Sequence, residues 1–174
     1  MGGWREPYDA LQLRPEGTMP ASPAHPAKLF GTLALAEMVT WTLLLLGMLG
    51  KYVLGLGDLG VRVGGSLHGF VFLSYCLVTV LIAVDQRWRL RDAALGIGSA
   101  VVPYATVPFE RYAQRNDLLA NSWRLRGQHP QAVQEKVVSA ALRQPVLAGL
   151  ASLVVVGAVF AGLVRLGPPT QWFS

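Results

Sequence analysis

Apolar residues gather in four long stretches, Leu29 to Gly50, Val63 to Val84, Ala93 to Phe109 and Pro145 to Val164, and polar residues crowd into the segments between them. Within the four stretches there is one charged residue, Glu37. A helix needs roughly 17–25 residues to cross the hydrocarbon core of a bilayer. The pattern therefore predicts an all-α fold, a polytopic membrane helix bundle of four transmembrane helices. The expected spans are about 29–52, 62–84, 92–110 and 144–166.

The polar segments fill in the organisation. Residues 1–28 hold five prolines among Ala and Ser and no uncharged apolar run, which predicts a flexible Pro/Ala-rich arm and a first span that is retained rather than cleaved. Residues 111–143 form a basic amphipathic segment. Its second half, Gln131 to Leu142, spaces Val133, Val137, Val138 and Ala141 at helical intervals with Gln134, Glu135 and Lys136 off that face. Basic residues mixed with Leu118, Leu119, Trp123 and Leu125 make anionic lipid headgroups a partner for this loop. The charge is too sparse, and lacks a motif, for nucleic acid. The C-terminal tail, 167–174, ends near Trp172, a residue suited to the lipid interface.

Composition sharpens this picture. Of 174 residues 52% are hydrophobic and only 14% charged, against roughly 25% in an average soluble domain. The single Cys76 lies in an apolar stretch and excludes a disulfide scaffold or a Cys-ligated metal centre. Twelve arginines against three lysines, with many Ala and Gly, fit a GC-rich bacterial genome and hence the bacterial cytoplasmic (inner) membrane. For four spans, Lys and Arg divide seven against eight between the two sides, which leaves the orientation open.

Helix association in lipid relies on small residues and interhelical polar contacts. Candidate packing positions are Gly64, Gly65 and Gly69 in the second stretch, Gly96 in the third, and Ala158 and Gly162 in the fourth. Pro103 and Pro108 are expected to kink the third helix, freeing carbonyls that must face protein or water. Lys51, Tyr52 and Trp88 are interfacial candidates. Asp85 and Asp92 flank an arginine-rich turn and are expected as solvated partners of those arginines.

Glu37 and His68 stand apart, because an ionisable side chain in hydrocarbon is costly unless paired, protonated or wetted. Counting inward from Leu29 and from Arg62 puts them about 9 Å apart in height at ~1.5 Å per residue, a gap that tilt and the long Glu side chain can close. Such an intramembrane pair serves either as a clamp that fixes helix register or as a station in a proton relay, with Thr40, Tyr75, Ser99 and Tyr104 as candidate further stations. One His and one Glu fall short of a metal site, and no second intramembrane His is present for haem, so no cofactor is expected.

These residues resemble a known family, the bacterial integral membrane proteins grouped as domain of unknown function 3817, over about 29–115. The resemblance is carried by Glu37 in Leu-Ala-Leu-Ala-Glu-Met, Gly50-Lys51-Tyr52, Gly65-Ser-Leu-His68-Gly69-Phe70, Tyr75, Trp88 with its basic neighbours, and Val102-Pro103-Tyr104-Ala-Thr106-Val-Pro-Phe109-Glu110-Arg111. It implies a compact three-helix module at 29–110 and singles out Glu37, Lys51, Tyr52, His68, Gly69 and Pro103. Here Glu110 replaces a usual Asp and Tyr104 a usual Phe, and a basic segment and a fourth span follow. No Ser-His-Asp set, HExxH or nucleotide loop occurs, so the expectation is no enzyme. The expected function is a non-catalytic accessory or assembly subunit bound to other membrane-protein subunits of a larger, energy-transducing complex. The alternative is a minimal proton-linked carrier centred on Glu37 and His68.

Overall fold

The computed structural model describes residues 25–166, so the expectations for residues 1–24 and for the tail at 167–174 lie outside the described residues. The described chain is helical: α1 (Pro26–Tyr52), α2 (Leu59–Asp85), α3 (Leu90–Val101), α4 (Thr106–Arg115), α5 (Val133–Arg143) and α6 (Pro145–Leu166), with a single 3-10 turn at Arg124–Arg126. Three of these helices, α1, α2 and α6, are long and apolar enough to cross a membrane, rather than the expected four.

The third apolar stretch is the one that does not form a single long helix. Pro103 forces the residue before it out of helical geometry, and Val102 is extended (φ −99°, ψ 123°). Tyr104 then takes a left-handed φ of 66° and the chain reverses. Pro108 sits in the first turn of α4, where its missing N–H costs no hydrogen bond. The two prolines thus produce a hairpin of two short helices instead of a kinked span. At twelve residues α3 is about 18 Å long, too short to cross.

The hairpin folds back against α1. Its tip is held by Trp41, whose indole N–H donates to the Ala100 carbonyl at 3.2 Å, and by Thr42, whose hydroxyl donates to the Tyr104 hydroxyl at 3.4 Å. Thr106 donates to the Ala34 carbonyl at 3.0 Å. Trp41 lies fifteen residues above Pro26, so the hairpin climbs about 22 Å along α1 before returning. Its foot closes on the start of α3, where the Tyr112 hydroxyl donates to Asp92 Oδ1 at 3.0 Å. Helices α2 and α4 both end with left-handed residues, Arg87 and Asp117, in the 6→1 and 5→2 bonding pattern that reverses a chain. Those two ends meet where the Trp88 indole donates to the Leu118 carbonyl at 2.7 Å.

We term the end of the bundle that carries Pro26, Asp85, Leu90 and Arg115 the basal end and the other the distal end. The aromatic core is basal: Phe30 packs on Tyr75, Trp88 and Phe109 with ring centroids 5.2, 6.1 and 6.1 Å away. Trp88, expected at the lipid interface, belongs to this cluster. Distally, α1 and α2 touch backbone to backbone. A Cβ on Gly47 would stand 2.5 Å from the Gly60 carbonyl, and one on Gly64 would stand 2.9 Å from that of Leu43. The α1–α2 turn needs Gly55 and Gly57 at φ 65° and 80°. Lys51 lies in the last turn of α1 with its ammonium 5.4 Å from the Tyr52 ring centre.

Helix α6 runs antiparallel to α2, with Gly149 and Ser152 beside Leu77 and Val78, and Phe160 against Gly69. Residues 25 and 166 therefore lie at opposite ends. A Cβ on Gly65 would meet only Leu44, and one on Gly96 would crowd Thr79 and Phe109. Gly162 has open space around it and Ala158 is exposed, so that pair faces away from the rest of the chain.

Candidate functional site

The structure brings Glu37 and His68 together. His68 Nδ1 is 3.5 Å from Glu37 Oε2, an ion-pair distance too long for a good hydrogen bond. Glu37 is 0% exposed and neither of its oxygens has a hydrogen-bond partner. Buried polar groups are almost always satisfied, which makes this carboxylate an exception to account for. Thr40 is one turn above. Its hydroxyl donates to the Glu37 carbonyl at 3.1 Å and lies 3.4 Å from the same His68 Nδ1. The Trp41 ring covers the imidazole at 4.3 Å between centroids, and Phe72 stands at 6.1 Å.

The geometry follows from sequence spacing. Glu37, Thr40 and Trp41 share one face of α1 at i, i+3 and i+4. The glycine crossing above them draws α2 close enough for His68 to reach that face. The arrangement sets a fully buried carboxyl group beside an imidazole that is itself nearly buried. Tyr75 and Ser99 form a separate pair at 3.1 Å between α2 and α3, with Ser99 also donating to the Gly96 carbonyl at 2.7 Å. Tyr104 is spent on Thr42 at the hairpin tip. Among the described residues, no three His, Cys, Asp or Glu side chains gather as a metal site would need.

A second polar cluster sits at the basal end, and the sequence did not disclose it. Asp85 is 0% exposed, not solvated. Its two oxygens accept the backbone N–H groups of Arg124 and Leu125, both at 3.0 Å, and the Gln86 amide also bonds to it. Arg124 donates to the Asp85 carbonyl and to Glu135 Oε1, the latter at 2.7 Å. Arg87 reaches the same Glu135 oxygen at 3.0 Å. The Gln131 N–H and the two arginines hold the Glu135 carboxyl down at about 2. These bonds also set the register of α5. Its inward face is Glu135, Val138, Ser139 and Leu142, while Val133 and Val137, read from the spacing as part of its apolar face, are 75% and 64% exposed. Asp92 is likewise nearly buried, contrary to expectation, and binds Tyr112. Nothing in the spacing of Asp85 signals this role, since its partners lie 39 and 40 residues away.

Fold and site together define a small polytopic membrane protein with an unsatisfied intramembrane carboxylate beside a histidine. The family described as Domain of unknown function (DUF3817) matches residues 27–115, which are α1 to α4, and the chain belongs to that family. Over 91 residues, 52% of this chain, it is 42% identical to the "Putative membrane protein SCO5905" of Streptomyces coelicolor. The chain spans only 11% of that relative's length. Over 69 residues, 40% of this chain, it is 36% identical to the "Uncharacterized membrane protein YdzA" of Bacillus subtilis, covering 71% of it. No solved structure matches the chain.

Proposed function

We propose that the chain is a non-catalytic accessory or assembly subunit of a larger membrane complex, with α1 to α4 as the docking module. One observation carries this reading. About half of this chain matches 11% of a large Streptomyces membrane protein, and 40% of it matches 71% of a small Bacillus one. A unit found both embedded and nearly alone fits a role in assembly beside a larger partner. Helix α6 supports it, since its outer glycines and exposed Leu and Val residues await lipid or another helix.

The proposed setting is the bacterial inner membrane, spanned by α1, α2 and α6, with α3 and α4 dipping in and returning. Ten of the thirteen Lys and Arg among residues 25–166 then lie at the basal end, and only Lys51, Arg62 and Arg165 at the distal end. By the positive-inside rule the basal end faces the cytoplasm, and the basic segment 111–143 rests on the anionic leaflet.

The test is migration in a native gel after extraction of bacterial membranes with a mild detergent. The tagged 174-residue chain is expected in an assembly several times its 18.8 kDa mass. Migration as a lone subunit contradicts the proposal. The unsatisfied Glu37 supports a second reading, a proton-linked carrier. That reading prevails if Glu37→Gln abolishes proton-coupled flux in liposomes loaded with the purified protein alone.

A further inference from the structure

At the basal end, the turn after α2 and the first residues of α3 border a polar cavity of about 400 Å³ whose wall carries Arg87, Arg89 and Arg91. Arg87 is committed to Glu135. Arg89 and Arg91 are exposed and form no ion pair among the described residues. Asp92 also borders the cavity, yet its Oδ1 already accepts the Tyr112 hydroxyl at 3.0 Å. The cavity thus presents two unpaired guanidinium groups against one hydrogen-bonded carboxylate.

A second cavity, apolar and about 360 Å³, begins at the same Arg91 and Tyr112. It follows the outer faces of α3 and α4 past Leu95 and Gly98 to Val102. A Cβ on Gly98 would meet nothing within 4 Å, so the groove is open there. From Arg91 to Val102 is about 16 Å at ~1.5 Å per residue. That is close to one leaflet of a hydrocarbon core roughly 30 Å thick.

We infer that the two cavities form one binding site for an anionic phospholipid of the basal leaflet, its phosphate on Arg89 and Arg91 and an acyl chain in the α3/α4 groove. Charge complementarity selects the occupant. Guanidinium forks match phosphate oxygens, a free phosphate fills only the polar half, and a zwitterionic phospholipid brings its own cation against Arg89 and Arg91, which are already unpaired positive charges. The inference rests on the proposed basal position of the anionic leaflet and deepens it, moving the specific contact from residues 111–143 to Arg89 and Arg91.

The 174-residue chain in detergent micelles, titrated with phosphatidylglycerol or with phosphatidylcholine of the same acyl chains and read by native mass spectrometry, tests it. One saturable phosphatidylglycerol site is expected, preferred over phosphatidylcholine. The double variant Arg89→Gln/Arg91→Gln is expected to weaken phosphatidylglycerol binding about thirtyfold, equivalent to ~2 kcal/mol for two basic contacts. Arg126→Gln/Lys136→Gln, on the same basic side but outside both cavities, changes it by about twofold or less. Gly98→Trp fills the groove and weakens both lipids at unchanged helix content, with Leu95→Trp as the substitute if the first variant does not fold. Equal binding of the two lipids overturns the inference. So does an equal loss in both double variants, which means diffuse charge, or displacement by glycerol phosphate at equal concentration, which means a soluble phosphate site. Because binding is read in detergent, its outcome is separate from the cytoplasmic orientation, which accessibility labelling decides.

Discussion

Asp85 at the basal end and Glu37 inside the α1/α2 pair are both 0% exposed, and their surroundings could hardly differ more. Asp85 accepts two backbone N–H groups and a side-chain amide, so its desolvation is offset by hydrogen bonds that staple residues 124 and 125 to α2. Glu37 has one imidazole at 3.5 Å and no hydrogen bond. The basal half of the molecule spends its carboxylates on architecture. The half above it is held by the glycine crossing of α1 and α2 and by the Trp41 contact with the hairpin, and its buried carboxylate has no hydrogen-bond partner among the described residues. A buried charge is informative about function to the extent that its surroundings leave it unsatisfied.

That contrast can be broken by substitution. Asp85→Ala strands one buried and one partly buried backbone donor, the N–H groups of Leu125 and Arg124, and should cost about 3 kcal/mol in denaturant unfolding from mixed micelles. A loss no larger than that of Glu37→Gln would erase the distinction between the two sites. Gly47→Val drives a Cβ into the Gly60 backbone and should cost about 2 kcal/mol in the same assay, because backbone, unlike a flexible side chain, cannot move aside. Glu135 sharpens the basal side through pH. Its folded value of about 2 lies below the ordinary 4.5, so its stabilisation is complete above pH 4.5 and is lost as pH falls towards 2. Helix content followed over that window should decline less in Glu135→Gln than in the parent. The smallest effect is expected at Glu37. Glu37→Gln should stay within about 1 kcal/mol of the parent, whereas Glu37→Leu, which cannot face His68 with a polar atom, should be worse.

Much of the fold was legible because hydropathy reports burial in lipid directly. The bounds of α1, α2 and α6 follow the apolar stretches closely. The third stretch misled because length and hydropathy alone do not separate a spanning helix from two shorter ones. Its prolines, only five residues apart, were the available sign of a reversal. Pro103 removes helical geometry at Val102, and Pro108 fits a new first turn. That error also hid the orientation, since a fourth span transfers the basic residues 111–143 to the opposite side and cancels the charge asymmetry. The Glu37 and His68 faces were readable from helical spacing, but the Asp85, Arg124 and Glu135 cluster was not. Its contacts join segments far apart in sequence, and one buried carboxylate reads the same as one solvated carboxylate at a helix end.

The central claim is that α3 and α4 enter and leave the membrane on one side, and single-cysteine accessibility labelling in intact cells tests it most directly. In a Cys76→Ala background, Arg89→Cys and Gln128→Cys should react from the cytoplasmic side, and Gly57→Cys from the opposite side. Labelling of residues 89 and 128 from opposite sides would show that the third stretch crosses the bilayer after all.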